Sequence, residues 1–322
     1  MRKIRWGVMG TADIARGATI PGMQLAENCE LYAVAGRRME KAEQYRDTFG
    51  FRKAYEGYEA LLNDPEVEAV YVPLPNDLHA EWSIRALQAG KHVLCEKPLA
   101  PTAAEAERMF RAAEENGVFL MEAFAYQHSP VVAAIRAEID AGAVGEVRWI
   151  DSAFIAGRRP DTDIRLQKAN YGGAQYDLGC YPVSMILRMT GREPKQVLAS
   201  GYFSEGGVDL GVSALMLFDG DLAAQADCAM VSGIGRLDRF HVMGTEGEIH
   251  SPVEFNQSGR IPYTVVRGGK AETKTVDVKN NYQLEVEQLG RCIAEGETPF
   301  VTKEFSLMCA RTTDRILDAI GY

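Results

Sequence analysis

Short apolar segments alternate with amphipathic ones over the first third of the chain. The apolar segments have the length of buried strands and occupy residues 4–9, 31–35, 69–72, 92–95 and 118–121. Helical spacing falls between them, for example in 39–49 and in a short stretch at 58–62. Strands that alternate with helices in this way are typical of a doubly wound parallel sheet. These five segments and the helices between them predict an α/β domain.

The pattern changes after Glu122. A helix at 130–141 is followed by longer strands at 146–155, 196–203, 210–218, 222–230 and 240–243. Asp219-Gly220-Asp221 has the composition of a hairpin turn. These features predict a second, α+β domain with a largely antiparallel open sheet that helices cover on one face. We therefore divide the chain into 1–123 and 124–322, and we allow the last helix, at 304–320, to pack back on the first domain.

Composition restricts the class of protein. The chain has 322 residues and 46% hydrophobic content, enough for two domains, and its net charge of −10 argues against nucleic acids and anionic membranes as partners. Arg2 and Lys3 are followed by an apolar run that Arg5 and Gly7 interrupt, so no signal peptide is visible, and no segment has the length of a membrane span. We expect a cytoplasmic protein.

Cysteine and histidine give no sign of a metal site or of disulfides. The six cysteines include no C-x-x-C pair, which favours reduced thiols, and the five histidines show no H-E-x-x-H or similar ligand spacing. We therefore predict no metal.

The first strand leads into a glycine turn that is typical of dinucleotide binding. It follows a G-x-G-x-x-G/A fingerprint in which Gly10 supplies the tight turn, Ala12 replaces the middle glycine and Ala15 fills the third position. Thr11, Asp13 and Ile14 complete the segment. A methyl group at Ala12 suggests a slightly shifted pyrophosphate. An ordinary strand-turn-helix unit is the alternative.

The second predicted strand ends at Gly36-Arg37-Arg38, where a dinucleotide fold places the residue that reads the ribose. NAD would favour a carboxylate at this position, whereas guanidinium groups suit the 2′-phosphate of NADP. Arg37 and Arg38 therefore predict NADP, with NAD as the less favoured cofactor. Alternatively, both are solvated charges at the start of a helix, although two cations there oppose the helix dipole.

Two further loops follow strand ends. One carries Leu74, Pro75, Asn76 and His79, where Asn76 either caps a helix or contacts the cofactor, and His79 either faces the cofactor or packs.

The other loop is Glu96-Lys97-Pro98, after which a Thr102 to Glu105 capping box opens a helix. Strand ends at the carboxyl edge of a parallel sheet bind ligands, so Lys97 is expected to project into the crevice, and a cis Lys97-Pro98 bond is possible. A surface lysine beside a loop proline is the alternative.

A second glycine-rich stretch, 171–182, is dense in proton donors and acceptors. Asp177 and Tyr181 are four residues apart, so a helical backbone would put both on one face, with Pro182 starting or kinking that helix. A buried tyrosine with a backbone partner and a capping aspartate form the alternative.

Taken together, these motifs resemble the glucose-fructose oxidoreductase, inositol dehydrogenase and MocA superfamily of NAD(P)-dependent oxidoreductases. The resemblance rests on residues 5–12, the 73–76 turn with His79, Glu96-Lys97-Pro98, and Gly172-Gly173 through Asp177, Gly179 and Tyr181. It implies a Rossmann domain that binds the dinucleotide and a second domain that shapes a sugar pocket and often forms the oligomer interface.

The resemblance also implies that Lys97 and Tyr181 are the catalytic pair. Many members carry His at the position of Tyr181, whereas the sugar dehydrogenase and dimeric dihydrodiol dehydrogenase branch carries Tyr and favours NADP. Arg165 resembles a position that approaches nicotinamide or substrate, and Glu96 one that orients Lys97 or the nicotinamide ribose. Asp177 is expected to bind substrate hydroxyls or to keep Lys97 charged.

The predicted reaction is hydride transfer between nicotinamide and a carbonyl or hydroxyl carbon of a sugar-like small molecule. A free phenol has a pKa of about 10, so Tyr181 needs a neighbouring cation to exchange a proton near neutral pH. Oxidation of a trans-dihydrodiol or reduction of a dicarbonyl is the alternative within enzymes, and a non-catalytic NAD(P)-binding sensor is the alternative outside them. We also expect a homo-oligomer, a dimer or a tetramer.

Overall fold

The chain is divided into two compact units. The computed structural model describes residues 2–231, 233, 235–251 and 255–322. One unit comprises the chain up to His128 together with Asn280–Ser306, and the other comprises Ser129–Lys279 together with Leu307–Tyr322. A segment that follows the second sheet in sequence therefore belongs to the first unit.

The first unit contains a six-stranded parallel sheet in the order β3-β2-β1-β4-β5-β6. The strands are β1 (Ile4–Met9), β2 (Cys29–Gly36), β3 (Lys53–Glu56), β4 (Ala69–Val72), β5 (His92–Glu96) and β6 (Leu120–Ala123). The doubly wound prediction is confirmed. The strand order reverses between β1 and β4, and such a switch point is where open α/β sheets bind ligands.

The helices predicted at 39–49, 58–62, 130–141 and 304–320 are present, whereas the helix Asn281–Glu295 was not predicted. In chain order the helices are α1 (Ile20–Leu25), α2 (Met39–Phe49), α3 (Tyr58–Leu62), α4 (Asn76–Gln88), α5 (Ala103–Glu115), α6 (Pro130–Asp140), α7 (Cys180–Thr190), α8 (Asn281–Glu295) and α9 (Lys303–Ile320). The capping box is confirmed, because the Thr102 hydroxyl accepts the Glu105 N–H at 3.2 Å and α5 begins at the next residue after Thr102. Wider π turns precede α1 at Ala15–Thr19 and α7 at Gln175–Gly179.

The second unit contains an eight-stranded sheet in the order β14-β13-β12-β11-β7-β10-β9-β8. Its strands are β7 (Val147–Gly157), β8 (Gln196–Phe203), β9 (Asp209–Leu217), β10 (Ala223–Val231), β11 (Leu237–Gly244), β12 (Gly247–Ser251), β13 (Gly259–Arg267) and β14 (Lys270–Val278). Only the β10–β7 pair is parallel among the described pairs of this sheet. The largely antiparallel prediction is therefore confirmed.

The two faces of this sheet differ. Ile150, Val242 and Ile249 are buried on one face, on which α7 packs against β7 and β10. The predicted hairpin turn joins β9 to β10, with Gly220 at φ +77° and the Phe218 N–H bonded to the Leu222 carbonyl at 3.0 Å. None of the helices in the described part of the chain is long and apolar enough to span a membrane.

Candidate active site

The glycine turn after β1 can only be built with a residue that lacks a side chain. Gly10 has φ +116°, and its N–H donates to the Ala35 carbonyl at 2.8 Å. A Cβ at Gly10 would lie 3.1 Å from Leu74 Cδ2, so the structure brings the predicted residues Gly10 and Leu74 together. Thr11 and Ala12 follow the turn and are half-buried. Backbone N–H groups at the start of a helix after such a turn can bind a pyrophosphate.

Tyr45 stabilises this turn through hydrogen bonds from its hydroxyl group. Its hydroxyl donates to the carbonyls of Thr11 at 3.0 Å and Ala12 at 3.3 Å. Asp13 is exposed and pairs with Arg16 at 3.0 Å, while Ile14 is half-buried at the start of the helix. The π turn that follows is of a rare type that frequently occurs at functional sites.

Arg37 and Arg38 are exposed at the end of β2. Arg38 is the N-cap residue of α2 and provides no side-chain hydrogen bond to the helix, so the helix N-terminus still offers N–H donors. Burial raises the pKa of Tyr58, and the charge of Arg37 opposes that shift, which places the guanidinium near the phenol. Tyr58 Oη would in turn lie 3.9 Å from a Cβ on Gly10, so Arg37 and the glycine turn are neighbours.

The 73–79 loop is fixed by its histidine. His79 is fully buried, with Nδ1 2.9 Å from the Pro98 carbonyl and Nε2 2.8 Å from the Leu74 carbonyl. Burial lowers the pKa of His79, and a neutral ring donates to one of these carbonyls at a time. His79 therefore joins two loops and is placed to position them rather than to touch a ligand.

Asn76 begins α4. It is the first residue of that helix, and Pro75 occupies the N-cap position without a side-chain hydrogen bond. The proline fixes the direction in which the chain enters the helix. Asn76 and Pro75 are half-buried at the sheet edge that carries Gly10.

Lys97 follows the last residue of β5 and is half-buried, and the Lys97-Pro98 bond is cis. The preceding Glu96 is buried at 7% exposure and accepts a hydrogen bond from the Tyr71 hydroxyl. The Thr19 hydroxyl donates to the Tyr71 oxygen at 2.8 Å, which extends the chain of hydrogen bonds to the π turn that precedes α1. The Glu96 carboxylate is thus held in one orientation directly before the lysine.

Two further buried carboxyl groups lie near the Glu96-Lys97 segment, and sequence reasoning missed both. Glu122 ends the apolar run of β6 and accepts the Leu99 N–H at 2.9 Å. Burial raises its pKa to about 7, whereas the charge of Lys97 opposes the shift. Glu285 on α8 is fully buried, no described residue bonds either oxygen, and burial with the nearby Glu96 charge raises its pKa well above the ordinary value. For Glu122 the available signal was an acidic residue in an apolar segment.

Glu122 should make folding stability depend on pH. Its pKa rises from 4.5 to about 7 on folding. Because the folded state favours the protonated carboxyl, the contribution of Glu122 to the free energy of unfolding is largest below about pH 4.5 and is lost as the pH rises through 7. The loss attributable to Glu122 is about 3 kcal/mol. Urea unfolding at about pH 5 and about pH 8 should show this loss in the native chain and a slope smaller by that amount in Glu122→Gln.

The matched control is Glu107→Gln, which makes the same change at an exposed position on α5. This variant should keep the native pH slope. Any cost of burying the amide in Glu122→Gln lowers stability equally at both pH values, so only the slope is informative. Equal slopes in Glu122→Gln and the native chain would contradict the assignment.

In the second unit, glycines bring Arg165 to Asp177. A Cβ at Gly172 would lie 2.5 Å from the Arg165 carbonyl, and the Gly173 N–H donates to that same carbonyl at 2.8 Å. Arg165 then pairs with Asp177 at 3.1 Å and with Asp163 at 3.2 Å. Asp177, more than Asp163, raises the pKa of the Arg165 guanidinium, which confirms their proximity.

Asp209 anchors the start of the helical segment that carries Asp177. Its Oδ2 accepts the Gln175 N–H at 2.7 Å, and burial raises the pKa of Asp209 to about 6. Gly173 has φ +120°, and a Cβ there would collide with the Asp209 carboxylate. The glycine pair is therefore required by the Arg165 carbonyl beside Gly172 and by the Asp209 carboxylate beside Gly173.

Asp177 lies in the π turn and Tyr181 in the first turn of α7, four residues later. Residues four apart lie on one side of a helical segment, so the predicted shared face fits the structure. Pro182 falls in the first turn of α7, where its missing N–H is tolerated.

Aromatic contacts orient the Tyr181 ring. It packs against Phe154 and Phe255, with centroids 5.3 Å and 5.2 Å away. The Asn256 amide lies 3.5 Å from its hydroxyl oxygen and donates to it, and Arg236 stacks over Phe154 at 4.5 Å. The phenol is thus positioned by packing, and its oxygen keeps polar neighbours.

Each unit contributes a distinct chemistry. The first unit offers a glycine turn, an uncapped helix N-terminus with two arginines, and an ammonium group, all after the carboxyl ends of parallel strands. This set fits an anionic dinucleotide, since helix N-termini and guanidinium groups bind phosphate. The second unit offers a phenol and a carboxylate held by an arginine. Such groups exchange protons and bind hydroxyls.

Several solved structures and curated relatives are similar to this chain over almost its whole length. A 3-ketoreductase from Actinomadura kijaniata, solved in complex with NADP and TDP-benzene, is 32% identical with a TM-score of 0.93 over 99% of this chain and 98% of its own. D-xylose 1-dehydrogenase (NADP(+)) 2 of Haloferax volcanii is 35% identical over 98% of this chain and 96% of its own length. Trans-1,2-dihydrobenzene-1,2-diol dehydrogenase of Xenopus laevis is 32% identical over 98% of both.

Family models match most of the chain. Residues 4–124 match the oxidoreductase family with an NAD-binding Rossmann fold, and residues 132–250 match the GFO/IDH/MocA C-terminal domain. The resemblance inferred from the motifs is therefore confirmed. The chain belongs to the GFO/IDH/MocA family of oxidoreductases.

Proposed function

We propose that this oxidoreductase uses NADP and acts on a CH–OH or carbonyl carbon of a sugar-like substrate. The observation that carries the proposal is the placement of Lys97 after β5, on the same sheet edge as the Gly10 turn after β1 and the arginines after β2. Residues Gly10 to Ile14, Arg37, Arg38, Leu74, Pro75, Asn76 and Glu96 would hold the dinucleotide. When bound, the nicotinamide supplies or accepts the hydride.

The residues of the chain would move the proton. Tyr181 donates it to the substrate oxygen in reduction and removes it in oxidation. The Lys97 ammonium stabilises both the phenolate and the alkoxide that develops on the substrate. Glu96, fixed by Tyr71, orients Lys97. Asp177, fixed by Arg165, binds substrate hydroxyls.

NADP preference should depend on Arg37. A charge-assisted bidentate contact to the 2′-phosphate is worth about 1.5–3 kcal/mol, so Arg37→Ala should weaken NADPH binding by roughly tenfold to a hundredfold. NADH lacks that phosphate, so Arg37→Ala should bind NADH within about twofold of the native affinity. A twofold difference in the dissociation constant is smaller than the loss of one such contact would cause. Fluorescence titration with both cofactors measures the two dissociation constants.

Lys41→Ala is the matched control for Arg37→Ala. It removes a cation one turn further along α2, where Lys41 is exposed. NADPH affinity should be almost unchanged in this variant, because screened charges at a distance contribute little. An equal loss in both variants would mean that only the general charge of α2 matters. Equal NADPH affinity in Arg37→Ala and the native chain would overturn the choice of NADP.

The substrate class is supported by the relatives. Their named activities act on xylose, on dTDP-linked keto sugars and on trans-dihydrodiols. In each case the reacting carbon carries a hydroxyl group in the reduced form and a carbonyl group in the oxidised form. Purified protein with NADPH should reduce keto sugars, or with NADP oxidise aldoses, and the change in NADPH absorbance measures it. Turnover confined to trans-dihydrodiols or dicarbonyls would favour the alternative enzyme. Tight NADPH binding without turnover of any of these would favour a sensor.

We further propose that a second copy covers part of the second sheet. Leu198 and Tyr202 on β8 are 48% and 53% exposed, and they lie on the face opposite to α7. Large apolar side chains that remain exposed at one end of a sheet are typical of an interface. Sedimentation equilibrium should therefore give a dimer or a tetramer, and Tyr202→Glu should shift it toward the monomer.

A further inference from the structure

The face of the second sheet opposite to α7 carries one row of side chains that crosses all the strands. The pairing of neighbouring strands aligns Leu198, Leu215, Gln225, Asp151, His241, His250, Thr264 and Thr273. The row is apolar at β8 and β9 and polar from β10 onward. Its centre brings together two of the five histidines of the chain.

These histidines form a cluster with one carboxylate. His241 on β11 pairs directly with His250 on β12, and their rings are 5.8 Å apart at 84°. Glu248 lies two residues before His250, on the same face, and its Oε2 is 2.8 Å from His241 Nε2. One ligand atom from each of the three residues lies within 4.8 Å of the other two. All three side chains are half-buried or exposed and accessible to an ion.

The contact between His241 and Glu248 involves only two of the three groups. The ligand atoms of all three residues lie close enough for one ion to contact them together. A divalent metal can bind both imidazoles and neutralise the carboxylate. The surroundings favour a cation, because Asp151 lies opposite His241 and shares the single Arg239 guanidinium with Asp227.

We propose that His241, Glu248 and His250 bind a divalent transition metal, with Zn²⁺ as the best match. Two imidazole nitrogens and one carboxylate oxygen form a donor set that zinc accepts, with the fourth position open to water or to an external ligand. The β11–β12 hairpin holds the ligands before the metal arrives, which lowers the ordering cost of binding. The site has no sequence motif, because the pairing of β11 with β12 brings His241 next to His250.

Equilibrium dialysis of tag-free protein against ZnCl₂ tests the site directly. The native chain should bind one Zn²⁺ per chain at this site. His250→Ala, His241→Ala and Glu248→Gln should each weaken binding by at least about tenfold, since even outer-shell changes cost that much. The matched control is Glu246→Gln, which removes a carboxylate from the adjacent turn and should leave the affinity unchanged.

A second measurement identifies the ligands independently of stability. Bound Co²⁺ should give the visible absorption of a low-symmetry four-coordinate site in the native chain and lose it in His250→Ala, whose side chain is exposed. Absence of stoichiometric binding in the native chain, or unchanged affinity in all three ligand variants, would overturn the proposal. Neither measurement needs cofactor, substrate or turnover, so the result does not depend on the proposed function.

Discussion

Replacing Lys97 by methionine should reduce turnover by at least about a thousandfold while NADPH affinity changes by less than about threefold. Methionine keeps the length and apolar stem of the lysine but removes its ammonium. The charge is needed when negative charge develops on the substrate oxygen and the phenol, so its loss raises the barrier more than it weakens binding. Steady-state kinetics and a separate NADPH titration give the two quantities.

The carboxyl and imidazole groups described beside the Glu96-Lys97 segment should not replace the lysine. Glu96, Glu122 and Glu285 are buried carboxyls, and the His79 ring is buried with its pKa lowered. None of these supplies a fixed positive charge. Lys41→Met makes the same substitution at an exposed position on α2 and should keep native turnover. Substantial activity in Lys97→Met would refute the catalytic role of the lysine.

Tyr181→Phe should lower kcat by about a hundredfold to ten-thousandfold, the range expected when a positioned proton donor is removed. The phenylalanine ring keeps the contacts with Phe154 and Phe255, so the fold and NADPH affinity should be preserved. The loss should therefore appear in kcat more than in KM. Stopped-flow measurement of hydride transfer isolates the chemical step.

Tyr171→Phe is the matched control for Tyr181→Phe. It removes a hydroxyl from the same glycine-rich stretch and keeps the edge contact of Tyr171 with Tyr176. We expect kcat within about twofold of native, because the proposed proton transfer does not use this hydroxyl. Equal losses in both variants would indicate a structural effect of the segment, and an unaffected kcat in Tyr181→Phe would exclude the phenol as the proton donor.

The parallel sheet of the first unit could be predicted because its strands are short and apolar. β3 was not predicted, because it lacks the apolar run of a buried strand. It is the edge strand of the sheet, with exposed ends and a half-buried centre. In the second unit, β12, β13 and β14 were not predicted for a related reason. β14 is mostly exposed and polar, so its extended conformation depends on pairing with β13 rather than on burial.

The candidate site was predictable where a motif occupies consecutive residues, as in Gly10 to Ile14 and Glu96-Lys97-Pro98. It was not predictable where the partners are distant in sequence. Glu285 on α8 lies near Glu96, although the two are far apart in sequence. Asp209 on β9 accepts the Gln175 N–H at the start of the π turn that contains Asp177. The His241, His250 and Glu248 cluster depends on strand register, which a one-residue shift would destroy.

The central claim is that Lys97 and Tyr181 act as one unit on one substrate oxygen. A double-mutant cycle on the hydride-transfer rate, with native chain, Lys97→Met, Tyr181→Phe and the double variant, tests it most directly. We predict that the double variant will be within about threefold of the slower single variant, because groups that act together are not additive. Losses that multiply would show that the two residues act independently and would contradict the account.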